Sequence, residues 1–571
     1  MPQITIDGKA YTYEGEGRLL EFALTSGVEI PYFCYHPAMS TPTNCRMCLV
    51  NVGFPMKDRA TGEVLKDEQG NPKIGWGRKP ATACNQPLAP DMYVETGRVS
   101  PVIKKAQEGV LEFLLINHPL DCPICDQAGE CPLQIWTYKY GPEGSRFELH
   151  KVHKPKEIDL GPNVKLDAER CINCTRCTRF TEEISGTNQL SIHSRGVTNF
   201  PATAPGKTFD DPYSMNVIDL CPVGALTSRD FRFKARVWEM NYTPTICTGC
   251  SNGCNVDVWV RDNEVLRHTP RENPAVNQYW MCDEGRLDYP RFNEGRVSGV
   301  KLKTDLPVSF EEGMQQAATL LGQHRGKTLF LGSAYASVES NHALKVLATA
   351  LGANTVHYAT HTQTGWGDMF LRKDDRTPNA AGCELVGLKA ATPAQIEAEV
   401  ASGNYTLVYM LEDTPLANQL SGHFGKLPFI VHATNYFAGH EHAAVVLPAA
   451  THLEGHGVYL NTKQVPQLAL QALQIRRMTP EMWMSLPKSR LDAGGVPIDN
   501  WRSPEHITDC LPSWLLVSKL ALELDVDFIH TDHSTVFQAI KTAYAPLANL
   551  KVPKRARKEA FKMSQFEFAL P

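Results

Sequence analysis

The chain has seventeen cysteines, and fifteen of them lie before residue 283, mostly in tight groups. Only Cys383 and Cys510 stand alone. Disulfide scaffolds rich in cysteine are short and secreted. Thiols clustered like this in a chain of 571 residues point instead to metal or iron–sulfur ligation. That length suggests roughly three to five domains. Charge is near balance, with 57 basic and 62 acidic side chains, and no basic face of the nucleic-acid-binding kind occurs before the last twenty residues. No run of about 18 apolar residues is present, so no membrane span is expected. The opening MPQITIDGKAYTYEGEG alternates like a strand and has neither an Arg-rich transit stretch nor an apolar signal core. The folded protein is therefore expected to start at residue 1, in the compartment where it is made.

The first group is Cys34, Cys45, Cys48 and Cys84. A hairpin-like stretch (ITIDGKAYTYEG) and a helix-like one (RLLEFALTSG) precede it, which suits a β-grasp ferredoxin domain over 1–98 holding a 2Fe–2S cluster. Plant-type ferredoxins space their first three ligands C-x4-C-x2-C, whereas the first gap here is ten. The polar segment 57–78 reads as an inserted hairpin. A zinc site is the alternative on these residues alone.

The second group lies in NHPLDCPICDQAGECPLQ and comprises His118, Cys122, Cys125 and Cys131. Ser100 followed by Pro101 predicts a helix N-cap with proline at the first helical position. Val102, Ile103, Val110, Leu111, Leu114 and Leu115 recur at helical spacing up to Asn117-His118-Pro119. His118 then sits at the helix end, where it either caps the helix or acts as a fourth ligand. A 4Fe–4S cluster and a Cys3His zinc site satisfy the same list.

The third group separates these choices. Cys171, Cys174 and Cys177 match the C-x2-C-x2-C start of a bacterial ferredoxin run, and Cys221-Pro222 supplies its ending. The ligands of a second cluster would fall at 181, 211, 214 and 217, which are Thr181, Asp211, Ser214 and Val217. A two-cluster fold reduced to one 4Fe–4S cluster explains the pattern, and zinc has no reason to follow it. The fourth group, Cys247, Cys250, Cys254 and Cys282, has the spacing C-x2-C-x3-C-x27-C. It resembles the 4Fe–4S domain at the front of molybdenum- and tungsten-pterin oxidoreductases.

With FCYHPAMSTPTNCRMCLV, NHPLDCPICDQAGECPLQ, RCINCTRC and LCPVGAL in this order, the chain resembles the large iron–sulfur subunit (the 75 kDa type) of bacterial NADH:quinone oxidoreductase, respiratory complex I. The resemblance is dense over 1–296 and weaker beyond. It implies that His118 ligates iron, and that one 2Fe–2S and three 4Fe–4S clusters pass electrons from an NADH/FMN-binding partner and a 2Fe–2S flavoprotein partner toward quinone-proximal subunits. It also implies a place in a peripheral arm on the cytoplasmic side of the inner membrane, with an off-path position for the fourth cluster. The alternative function is electron transfer in an NAD-linked formate dehydrogenase or hydrogenase.

The expected divisions are 1–98 (2Fe–2S ferredoxin), 99–155 (His-Cys 4Fe–4S segment), 156–238 (ferredoxin-like 4Fe–4S), 239–296 (Mo/W-type 4Fe–4S) and 297–571. In the last of these, KTLFLGSA, YTLVYML and PFIVHA read as buried strands, and NHALKVLATALGA as a helix. AAVVLPAATHLEGHGVYLNT resembles a pterin-oxidoreductase segment, which implies a truncated, degenerate α/β domain of that type with a C-terminal arm. Neither lone cysteine has a recognisable metal context, and neither G-x-x-x-G-K-T at 322–328 nor GEGRLL completes a nucleotide motif. No catalytic residue, molybdopterin or flavin is therefore expected on this chain. Residues 476–512 read either as a partner-contact arm or as a long surface loop, and the basic tail KVPKRARKEAFK as a solvated or docking segment.

Overall fold

Residues 1–303, 306–486 and 504–552 are described in a computed structural model. Much of the 476–512 stretch, and nearly all of the basic tail, lie outside the described residues. The chain forms two units, one over Met1–Val237 and a second beginning at Trp238. Among the described residues, no helix is long and apolar enough to cross a membrane.

The first unit opens on the hairpin Gln3–Ile6 and Lys9–Thr12, turned by Asp7 and Gly8 at positive φ. Its sheet runs Lys9–Thr12, Gln3–Ile6, Met92–Glu95, Leu49–Pro55, Ile74–Trp76, with a parallel pair between Gln3–Ile6 and Met92–Glu95. Leu19, Leu20 and Ala23 of the helix Leu19–Thr25 pack with Ile4, Ile6, Val50, Met92 and Val94. This is a β-grasp arrangement. The inserted 57–78 segment folds back through single bridges Lys57 to Val64 and Lys66 to Pro72, and joins the sheet only at Ile74–Trp76.

The helix Pro101–Leu115 starts where its proline requires, but Ser100 does not cap it through its side chain. The Ser100 hydroxyl instead accepts from Asn51 Nδ2 at 2.9 Å. Its buried face is Ile103, Gln107 and Leu111, while Val102 is exposed. The helix Pro132–Tyr140 fastens to the β-grasp loop: Trp136 Nε1 donates to the Tyr32 carbonyl (3.3 Å), and Glu29 accepts from Tyr140 (2.9 Å) and Lys139 (2.6 Å). Farther on, strand Val164–Leu166 pairs with Leu226–Ser228 and Ile158–Asp159, and the short helices Arg176–Arg179 and Asn216–Leu220 lie between.

The second unit begins with the antiparallel sheet Asn241–Ile246, Asn255–Arg261, Glu264–Pro270. It continues into an eight-stranded sheet whose central run is Val445–Pro448, Phe429–Ala433, Leu407–Met410, Thr328–Gly332, Val356–Ala359, Lys389–Ala391, all parallel. The inner strands of this run are largely apolar because both faces are covered. The helices Phe310–Gln323, Val338–Ala350 and Ser513–Glu523 contribute to one core, and Pro393–Ala401 and Thr414–Gln419 to another. The strands and helix read from KTLFLGSA, YTLVYML, PFIVHA and NHALKVLATALGA all form. Cys383 and Cys510 are both fully buried in the first of these cores. A buried pair, Arg296 with Glu454, ties the strand connections together, and Glu454 also accepts from the Thr451 N–H at 2.8 Å. Leu347 lies on the helix Val338–Ala350 with no exposed surface. Leu347→Ala should therefore cost about 2–5 kcal/mol, read as a lower denaturant midpoint for the second unit.

Candidate metal centres

Cys34, Cys45 and Cys48 occupy the loop between helix Leu19–Thr25 and strand Leu49–Pro55, and Cys84 follows the short strand Ala81–Thr82. Cys34, Cys48 and Cys84 are buried and Cys45 is half-buried. The thiols meet as two pairs, Cys34 with Cys45 and Cys48 with Cys84. The hydrogen bond within each pair, together with burial, pushes Cys34 and Cys48 far up. The same bonds pull Cys84 down, and Cys45 down to about 6. Four thiols from two distant segments thus share one site.

The second group forms at the end of helix Pro101–Leu115. Lys151 Nζ donates to the carbonyls of Leu115 (3.1 Å), Ile116 (2.5 Å) and His118 (3.2 Å). The helix end is therefore capped by a lysine, and the His118 imidazole is not needed there. His118, Cys122, Cys125 and Cys131 line a single cavity of about 400 Å³. Burial, with Arg170 adding to it, lowers His118 to about 4, so the ring is neutral at neutral pH and has a lone pair to offer. Burial raises Cys125, and Cys131 to about 12. Cys122 is the exposed member.

In the third group Cys177 lies in the helix Arg176–Arg179, and Cys221 directly follows Asn216–Leu220. Burial raises Cys171, Cys174 and Cys221 to about 11 each, and Cys177 well above its ordinary value, with mutual repulsion adding to it. The positions read as vacated ligands are buried in ordinary packing. Thr181 donates to the Thr178 carbonyl (2.9 Å), and Asp211 accepts from Thr187 (2.9 Å) and the Tyr213 N–H (2.8 Å). In the second unit, Cys247, Cys250, Cys254 and Cys282 line one cavity. Asn252 Nδ2 donates to the Cys254 sulfur at 3.0 Å and the Gly285 N–H to the Cys282 sulfur at 3.4 Å. A Cβ at Gly285 would come within 2.8 Å of the Cys247 sulfur and would push it aside.

The donor sets fit iron–sulfur clusters. Burial penalises the bare thiolates in these groups, and metal ligation relieves that penalty. Among the described residues, no three His, Cys, Asp or Glu side chains stand close enough together to hold one ion.

Within the first unit the spatial order differs from the chain order. Cys45 and Cys174 interact electrostatically, and Arg176 and Arg179 donate to the carbonyls of Tyr35, Ser40 and Cys34. On the other side, the Cys131 thiol approaches the Pro222 carbonyl at 3.8 Å, and a Cβ on Gly224 would sit 2.1 Å from the Cys125 sulfur. The third group thus lies against both the first and the second. Cysteine spacing gives no sign of these linkers, although Arg170, Arg176 and Arg179 all sit within or beside the RCINCTRCTR motif.

Four family models match the chain. They are a 2Fe-2S iron-sulfur cluster binding domain over 2–98, the NADH-ubiquinone oxidoreductase-G iron-sulfur binding region over 107–146, the ferredoxin-like domain of NADH-quinone oxidoreductase subunit 3 over 161–227, and the molybdopterin oxidoreductase Fe4S4 domain over 240–293. NADH-quinone oxidoreductase subunit 3 of Thermus thermophilus is 38% identical over 352 residues, 58% of this chain and 44% of that protein. The NADH-ubiquinone oxidoreductase 75 kDa subunit of Reclinomonas americana is 36% identical over 367 residues, 63% of this chain and 50% of that protein. The chain is homologous to these subunits. It spans about half the length of the curated relatives it matches. A chain from the crystal structure of an NAD+-reducing [NiFe]-hydrogenase in the H2-reduced state, 26% identical, covers 41% of this chain and 91% of its own length, with a TM-score of 0.33.

Gly224→Ala should displace the Cys125 sulfur. If the cavity lined by His118 binds a metal, the expected result is loss of that metal with the fourth group's content unchanged, measured by metal analysis of the purified variant.

Proposed function

We propose that the chain is an electron-conducting subunit of an NADH:quinone oxidoreductase, carrying one 2Fe–2S and three 4Fe–4S clusters. The observation that carries this reading is the adjacency of the first, third and second thiol groups within one unit. The proposed ligands are Cys34, Cys45, Cys48 and Cys84 for the 2Fe–2S cluster. Those for the 4Fe–4S clusters are His118 with Cys122, Cys125 and Cys131; Cys171, Cys174, Cys177 and Cys221; and Cys247, Cys250, Cys254 and Cys282. When bound, the clusters supply one-electron redox chemistry. The chain's own residues hold the thiolates, place cations and N–H groups beside them, and keep water out.

On this reading electrons enter near the 2Fe–2S site from an NADH/FMN partner and its 2Fe–2S flavoprotein neighbour. They leave beside the His118 cavity toward a quinone-proximal subunit, in a peripheral arm on the cytoplasmic face of the bacterial inner membrane. The working division of the chain is at about residues 98, 155, 238 and 296. The remaining α/β half serves as a degenerate pterin-oxidoreductase-type domain without molybdopterin or flavin. The burial of Cys383 and Cys510 in its apolar core supports a packing role for both. Exit beside His118 is supported by the exposed apolar side chains around it, Leu120 at 92% and Ile124 at 59%.

The holoprotein is expected to contain about fourteen iron and fourteen acid-labile sulfide per chain. Stoichiometric zinc with sulfide near zero would sink the reading. A neutral imidazole leaves its cluster one charge less negative than a fourth thiolate would. His118→Cys should therefore keep the cluster and lower its potential alone, whereas His118→Ala should open an iron or lose the cluster. Low-temperature electron paramagnetic resonance reads both variants, and an unaltered full-intensity signal in His118→Ala would place the fourth ligand elsewhere.

A further inference from the structure

The fourth thiol group is completed by a segment that no cysteine spacing announces. Between strand Val356–Ala359 and helix Ala380–Val386 the chain returns over the thiols and puts Trp366, Leu371, Arg372 and Arg376 on the wall of their cavity. The loop is shaped by its own carboxylates. Asp368 accepts from the N–H groups of Phe370 (2.9 Å), Leu371 (2.9 Å) and Arg372 (3.1 Å), and Asp374 from that of Gly367 (2.6 Å). Two bonds tie it to the cysteine loop: the Ser251 N–H donates to the Asp375 carbonyl at 2.9 Å, and Arg376 Nε donates to the Gly249 carbonyl, between Cys247 and Cys250, at 3.0 Å.

The Arg376 guanidinium lies 3.7 Å from the centroid of the Trp366 ring. Trp366 Nε1 donates to Glu284 at 2.8 Å, and Arg376 pairs with the same carboxylate. Arg376 and Glu284 therefore line the cavity together, with Asp288 and Arg372 on the same wall and Arg372 already paired with Asp368 at 2.9 Å.

We infer that Arg376 and Glu284 set the reduction potential of the centre held by Cys247, Cys250, Cys254 and Cys282, with Arg376 raising it and Glu284 lowering it. This rests on the assignment of those four thiols as cluster ligands. An added electron makes the site more negative, so a nearby cation favours the reduced form and a nearby anion opposes it. Arg376 is always protonated and is held in place on three sides. Its side chain is 22% exposed against 51% for Glu284, so solvent screens the anion more and the cation has the larger effect. On this reading the α/β half is more than ballast, because it supplies the charge that tunes the centre next to it.

Potentiometric titration of the full-length holoprotein, followed by electron paramagnetic resonance, tests the inference. In Arg376→Gln the potential of this centre should fall while the others stay put. Arg376→Lys should stay near the parent value, and Glu284→Gln should show a smaller rise. Loss of the centre in Arg376→Gln but not in Arg376→Lys also supports a requirement for the cation. An unmoved potential in Arg376→Gln, equal shifts in the Gln and Lys variants, or loss of the centre in both overturns the inference. Failure of the underlying assignment looks different: Cys247→Ser would then leave every cluster signal unchanged.

Discussion

Burying several thiols together is costly unless something makes their ionised form acceptable. The local features around the cysteine groups answer that constraint. Elements that look unrelated in sequence converge on the sulfurs with N–H groups, guanidinium groups or glycines small enough to let backbone approach. Asn252 and Gly285 each aim an N–H at a sulfur. Arg170 lies against the His118 cavity with only 4% of its side chain exposed, paired with Asp121 at 2.9 Å. The placement of these buried polar and charged groups makes sense if the sulfurs beside them are anions.

The same constraint joins what would otherwise be separate small modules. Arg176 and Arg179 donate to carbonyls of the loop that bears Cys34, and the segment Cys221 to Gly224 lies against Cys125 and Cys131. These linkers are main-chain contacts and fixed cations, so they align the thiol groups directly. On the proposed reading electron transfer depends on the separation of the centres, and this mode of assembly would hold that separation with few side chains. In the second unit the loop 361–377 plays the corresponding part, brought to the thiols by a sheet whose strands come from much later in the chain.

The α/β half was legible as strands with helices between because its central strands are continuous apolar runs, and in the structure two of its helices also start on capping boxes. The capping box of Ser309 with Glu312 and that of Thr392 with Gln395 are both formed. Ser100 takes the N-cap position before Pro101, but its hydroxyl makes no capping bond and accepts instead from Asn51 of the neighbouring strand. Val102 lies in the helix as its spacing suggests but is exposed, and the fully buried face is Ile103, Gln107 and Leu111.

Sequence alone determined which residues are eligible to hold metal, since ligand chemistry is written in residue type and short spacing. It also determined the β-grasp hairpin, the reduced ferredoxin run with its replaced positions at 181, 211, 214 and 217, and the alternating strand–helix pattern of the second half. It left open whether His118 caps a helix or faces the thiols. Only the fold decided that, because Lys151, more than thirty residues away, takes the carbonyls at the helix end. The fold alone also decided that the third group lies against both of the first two, and that Arg376 and Glu284 meet over the fourth. Those facts depend on contacts between residues as much as 145 positions apart, and local spacing carries no record of such contacts.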